Sequence, residues 1–318
     1  MYVLALALAA PAYADDRGTW DEIVDPHGEE VRQIIDKANQ ADQQAANFAT
    51  YDGDPSGDMR TRLLDDAYGM LRYARRLAPH NENVLLTLGR IADDGGRTSA
   101  AIEAFEAYLG EAQTPAPEAH QRLGRLYLRT HQLDAAIRHL RLGLVGAPNA
   151  PTTVYLATAL TASGRSEDAI QILADALDDQ HNQFFNVDAT TLGLALAVAY
   201  DRDEQLSSAF QIVDHMQSAL STNYATQLQQ SIGTLQFVPA IDQRYWQALF
   251  YETAGMYAEA RAEWLNYAAG GPDARWKDRA LAHVTAIDKL LADQLDARRK
   301  GKAKPPEPPP PPPAYPMP

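Results

Sequence analysis

Arg122, Arg125 and Arg129 recur at three- and four-residue intervals in PEAHQRLGRLYLRT, residues 117–130. On a helix that spacing lines three guanidinium groups along one face. An arginine fork holds a carboxylate through two parallel hydrogen bonds, so the stripe has the chemistry to grip an acidic peptide or a chain-terminal carboxylate. The competing use is internal pairing with Asp93, Asp94 or Glu118, and surface pairs of that kind contribute only about 0–1 kcal/mol. Residues 117–150 hold five arginines against Glu118 and Asp134, a local charge of +3 in a chain of net charge −14.

No other constellation offers reaction chemistry. The eight histidines (His27, His80, His120, His131, His139, His181, His215 and His283) are scattered, and none belongs to a His-Glu-x-x-His zinc arrangement. There is no Gly-x-Ser-x-Gly elbow and no glycine-rich phosphate loop with a following lysine. YDGDPSGDMRTRL, residues 51–63, sets Asp52, Asp54, Ser56 and Asp58 like the first half of a calcium loop. The twelfth position, where calcium needs a bidentate acid, is Leu63. Ser56 and Asp58 serve more simply as caps for a helix starting near Met59. No catalytic residue, metal ligand or cofactor is expected.

Composition narrows the class further. Apolar residues make up 46% of the 318, and charged residues 22%, as in an ordinary folded protein. The acidic balance disfavours nucleic acid and anionic membrane surfaces as partners. With no cysteine, disulfides, thiolate metal sites and cysteine nucleophiles are excluded. MYVLALALAAPAYADD opens with a short apolar run, a proline and a small-x-small site (Ala12-Tyr13-Ala14), the layout of a secretory leader. No Lys or Arg precedes the run, which is also too short to span a bilayer needing roughly 20 apolar residues. The expectation is an exported, periplasmic or cell-envelope protein without a membrane span, residues 1–14 being the leader and 15–27 a linker.

The elements that would position the arginines emerge from self-similarity. GGRTSAAIEAFEAYLGEAQTP (95–115), HQLDAAIRHLRLGLVGAP (131–148) and GMYAEARAEWLNYAAGGP (255–272) each place an alanine after a turn and end at or near a proline. Ala101, Ala136, Ala169 and Ala260 occupy matching places, the first three separated by 35 and then 33 residues. An apolar-periodic helix precedes each segment, with Leu88-Gly89, Leu123-Gly124 plus Tyr127, and Ala248 plus Tyr251 at one offset. The period implies a helix–turn–helix unit of about 34 residues whose small residues mark helix crossings. One such unit cannot bury its apolar face, so several must stack.

These residues resemble the tetratricopeptide repeat (TPR) family over about residues 62–297, most clearly in 82–115, 117–150 and 241–274. The resemblance implies an all-α fold, a right-handed solenoid of antiparallel helix pairs, with about six repeats and a C-terminal capping helix. Residues 28–220 hold five repeats, the first and last degenerate, and 221–240 form an insertion. The final repeat and cap fill 241–297, with Leu281, Val284, Ile287, Leu291 and Leu295 facing inward. Residues 298–318 are a basic, then proline-rich tail; its six consecutive prolines favour an extended spacer of roughly 40 Å over 305–318.

The family uses the first helix of each repeat to line a groove. Similarity therefore places Arg90, Gln121, Arg122, Arg125, Arg129 and Tyr155 on a peptide-binding wall, with Thr153, Thr158 and Thr161 beside them. Tyr245 and Trp246 form a second, aromatic surface or pack between the last repeat and its cap. The implied function is a non-enzymatic protein-interaction scaffold that binds a protein or peptide, acidic by this chemistry, in a cell-envelope assembly. The alternative is a glycan- or peptidoglycan-binding module that would use Tyr245 and Trp246.

Overall fold

The computed structural model describes residues 26–49, 57–179, 186–220, 224–233, 235–271 and 274–299. The leader, Asp52, Asp54 and Ser56 of the calcium-like loop, and the proline-rich tail lie outside them. The described residues form fourteen helices and no strand. They are α1 (Gly28–Ala49), α2 (Asp58–Leu77), α3 (Glu82–Asp94), α4 (Thr98–Glu111), α5 (Pro117–Arg129), α6 (Leu133–Leu144) and α7 (Ala150–Ala162). The chain continues through α8 (Ser166–Asp179), α9 (Val187–Arg202), α10 (Leu206–Leu220), α11 (Tyr224–Gly233), α12 (Asp242–Thr253), α13 (Tyr257–Ala268) and α14 (Lys277–Arg299). Two compact units divide the chain between Ala116 and Pro117. Each is a stack of helix pairs, the solenoid class that the repeat register implies.

Local chemistry sets the pairs. Asn81, Asn149 and Asn186 cap α3, α7 and α9, their side chains accepting from Val84, Thr152 and Ala189 N–H at 3.1, 2.9 and 2.7 Å. Pro117 opens α5, where its missing N–H costs nothing. Inside five of the pairs the chain reverses through one left-handed residue: Gly96, His131, Gly164, Glu204 and Gly255, with φ of 72°, 59°, 81°, 61° and 75°. The next residue's N–H closes the turn onto a carbonyl five residues back, Arg97 to Ala92, Gln132 to Tyr127, Arg165 to Leu160, Gln205 to Tyr200 and Met256 to Tyr251, at 2.7–2.9 Å. Nine residues beyond each acceptor stand Ala101, Ala136, Ala169, Ala209 and Ala260, all at most 2% exposed. The degenerate 186–220 pair thus has the same turn as the clear ones.

In the first unit, Val31, Ala38 and Ala45 of α1 pack on Leu64, Ala67, Leu71 and Ala74 of α2, with Leu88 and Ile91 of α3 and Ala104 of α4 behind. Close crossings need glycine at several points, among them Gly89, Gly124 and Gly143. A Cβ on Gly89 would come within 2.8 Å of the Phe105 ring, and one on Gly124 within 2.6 Å of Leu140 Cγ. Asp58 is the first residue of α2 rather than its cap; that place falls to Gly57, which makes no side-chain bond.

The second unit departs from a plain stack. Every residue of α9 from Ala189 to Ala199 is buried, so the helix is apolar all round. The predicted insertion supplies part of its cover. α11 lies on α9, with Thr190 Oγ1 donating to Gln227 at 3.1 Å and Ser231 Oγ to the Val187 carbonyl at 3.3 Å. On α14, Ala280, His283, Val284 and Ile287 face inward, whereas Leu281 and Leu295 are 37% and 53% exposed. The inward register expected for those two leucines is therefore corrected. Buried acids facing α14 draw His283, not Leu281, to the inside.

Candidate peptide-binding site

The predicted wall residues come from both units. Arg90, on α3 of the first unit, is half-buried with Nη2 3.3 Å from Asp42 Oδ2 on α1. The others share the second unit. Gln121 donates from its amide to the carbonyls of Gly143 and Ala147 at 2.7 and 3.1 Å, tying α5 to the end of α6. Arg122 Nε lies 3.3 Å from Glu118 Oε1, one turn earlier. Arg125 is half-buried and Arg129 exposed. The aromatic surface does not form: Tyr245 is 0% and Trp246 4% exposed. The pair packs instead, Tyr245 edge-on to Trp264 and Tyr267 at 4.7 and 5.0 Å.

Tyr155 and its neighbours are covered by the chain itself. Residues 235–241 run across α7, and the Gln236 backbone N–H donates to the Tyr155 hydroxyl at 3.0 Å. Phe237 meets Trp246 edge-on at 5.3 Å. Tyr155 falls to 9% exposure under this cover, and Thr153, two residues earlier and so on another face of the helix, is 4% exposed. A face expected to take a partner's segment already holds a non-helical stretch of its own chain.

Beside this strap a cavity of about 420 Å³ stays open. Leu128, Phe237 and Trp276 give it apolar walls, Arg129 and Arg275 are its cationic side chains, and His131 and Asp242 complete its polar lining. Arg275 reaches from the start of α14 to the Ala162 carbonyl at 3.4 Å and His131 Nδ1 at 3.3 Å. His131 stands here because it is the left-handed residue of its turn. The cavity can hold a short chain segment, an apolar group against Trp276 and a carboxylate at the arginines.

Deeper lies a sealed polar network. Asp201, at the end of α9 and 0% exposed, accepts from Tyr245 Oη at 2.5 Å, Arg279 Nη2 at 2.5 Å and His283 Nε2 at 3.0 Å. His283 Nδ1 lies 2.9 Å from Glu252 Oε2, which also accepts from Trp264 Nε1 at 2.8 Å; the Trp264 ring stacks on the imidazole at 4.3 Å. Burial alone would push the Asp201 carboxyl up, but hydrogen bonds from His283 and Arg279 hold it at about 2. Burial would lower His283, but its bonds to Asp201 and Glu252 raise it to about 9, so the imidazolium donates from both nitrogens. Next door Arg202, 6% exposed, lies 3.0 Å from Asp242 Oδ2 and over the rings of Trp276 and Tyr245 at 4.0 and 4.5 Å. Burial pushes Asp242 up while Arg202 opposes it. Asp201 and His283 are closed to solvent and bonded by their neighbours, which marks them as structural; Arg202 Nε and Asp242 Oδ1 are buried without a hydrogen-bond partner among the described residues.

Sequence reasoning missed the strap, Arg275, Trp276 and the network. One signal was available: His283 falls in phase with Ala280, Val284 and Ile287, an apolar-face histidine that needs a buried partner. Among the described residues no cluster of three metal-binding side chains forms, and no helix is long and apolar enough to cross a membrane.

No family model matches the chain, and no curated protein matches it. Among solved structures it is similar to MamA (18% identity over 62% of this chain and 94% of that one, TM-score 0.49). It is also similar to YrrB, described as a TPR protein with an unusual peptide-binding site (13%, 64% and 96%, TM-score 0.44). PilF of Pseudomonas aeruginosa is a third (13%, 86% and 100%, TM-score 0.45). At these scores the likenesses carry no argument about what this chain binds.

Proposed function

We propose that this chain is a non-enzymatic, exported TPR-type scaffold that holds a partner's extended segment on the first-helix face of its second unit. One observation carries the reading: that face already holds a non-helical segment of the chain, residues 235–237 and the turn that follows, through a backbone hydrogen bond and one aromatic contact. The cavity beside the strap continues the same line. Its cations suit a partner carboxylate, and Leu128 and Trp276 suit an apolar neighbour. Of the predicted stripe, Arg129 reaches this cavity. The leader-like N-terminus supports placing the work in the cell envelope. The glycan-binding alternative loses its residues, because Tyr245 and Trp246 are buried.

The test is capture from an immobilised library of short peptides, comparing the full chain with its Arg129→Glu/Arg275→Glu variant. The reading expects captured peptides rich in acidic and apolar residues, and capture weakened roughly tenfold or more in the variant. Equal, salt-insensitive capture by the two proteins overturns it.

A further inference from the structure

Gly69 has no reason in the fold to be glycine. It sits mid-way along α2 without a left-handed φ, and no atom comes within 4 Å of the place a Cβ would take. Gly89 and Gly124, by contrast, are forced by close neighbours. A helix-interior glycine costs about 0.8–1.0 kcal/mol relative to alanine, and here no packing offsets it.

What the missing side chain does is join two clefts. Gly69 lines an opening of about 890 Å³ with Tyr68, Arg72, Arg75, Arg76 and Glu103, and another of about 560 Å³ with Lys37, Glu30 and Tyr73, whose hydroxyl donates to Glu30 at 3.0 Å. Gly69 is the saddle of a trough that crosses α2. On the larger side, three arginines meet a single acid. Arg75 pairs with Glu103 at 3.0 Å. Arg72 and Arg76 have no ionic partner among the described residues; their guanidinium groups lie over the rings of Tyr68 and Tyr73, at 5.9 and 5.6 Å. An arginine held on a ring face keeps its N–H edge available for a carboxylate. The helix dipole accounts for cations in the last turn, Arg75 and Arg76, but not for Arg72 a turn earlier or for the glycine.

We propose that the first unit carries its own binding site, distinct from the second-unit cavity: a trough over Gly69 that takes an extended acidic peptide, its backbone against the bare helix and its carboxylates on Arg72 and Arg76. The charge supports this occupant, since the larger cleft is cationic in a chain of net charge −14. An extended backbone needs the close approach that only glycine allows.

The test is fluorescence anisotropy of the full chain with a fluorescein-labelled peptide of alternating glutamate and glycine, and with its glutamine counterpart. The key variant is Gly69→Leu, which fills the saddle while improving helix propensity, so Tm should hold or rise. Expected are salt-sensitive binding of the glutamate peptide alone, roughly tenfold weaker in Gly69→Leu and in Arg72→Gln/Arg76→Gln. Arg129→Glu/Arg275→Glu should leave it unchanged. No binding by the natural chain, equal binding by Gly69→Leu, or loss only in Arg129→Glu/Arg275→Glu overturns the proposal, and the last outcome would leave the second-unit reading standing.

Discussion

Charged side chains take different places in the two units. In the first, the pairs Arg75–Glu103 and Arg97–Asp65 each keep one partner well exposed to solvent, Arg90–Asp42 is half-buried, and the core beneath them is alanine, leucine and isoleucine. In the second, Asp201, Arg202, Asp242 and His283 lie at the centre with side chains at most 6% exposed. The difference follows from what each unit must hold. Repeating hairpins need only their apolar faces, whereas α11, the strap and α14 fall outside the period and have no repeat register to fix them. Directional bonds to a few buried charges give them one.

If that contrast is right, its largest test is Asp201→Ala. The substitution strands Arg279 and His283 in the interior, and losing one partner of a buried pair costs about 3–5 kcal/mol. Asp65→Ala, at a pair whose acid is half exposed, should cost about 0–1 kcal/mol. Urea unfolding measures both, and equal losses would erase the contrast. Next in size comes pH. His283 sits at about 9 in the fold, above its ordinary 6.5, so its contribution is complete below pH 6.5 and disappears as pH rises through about 9. Asp201 has the opposite sign: held at about 2, it contributes above its ordinary 3.8 and that is lost as pH falls through about 2. The unfolding free energy from urea titration should therefore drop between about pH 6 and about pH 10 by an amount on the order of 3 kcal/mol, and His283→Gln should flatten that drop. The smallest test concerns what the units share. Glu204 holds a left-handed turn conformation that glycine adopts freely, so Glu204→Gly should stabilise by up to about 1 kcal/mol. A loss of stability instead would mean that its turn is not equivalent to that of Gly96 or Gly164.

The repeat register was readable because it is local. A turn, a small residue five positions on and an apolar phase recur within single hairpins, so Ala101, Ala136, Ala169 and Ala260 align on sequence alone. The candidate site was readable only in part. Spacing put Arg122, Arg125 and Arg129 on one helix, but which of them reaches a cavity depends on residues 237–240 and 275–276, more than a hundred positions away. Tyr155 looked like a groove residue for the same reason; nothing near it in sequence reveals the strap that covers it. Tyr245 and Trp246 carry the composition of a binding surface and the burial of a core, and composition cannot tell the two apart.

The hydrogen bonds that close the hairpin turns span five residues, whereas Asp201 is joined to Arg279 and His283 across 78 and 82. During synthesis each hairpin can therefore form as it leaves the ribosome. Helix α9 cannot finish: α10 and α11 cover its apolar surface soon after it, but its carboxylate stays without its cations until roughly eighty further residues have emerged. In that interval the polar centre of the second unit stands open, and it is there that a chaperone would have something to hold.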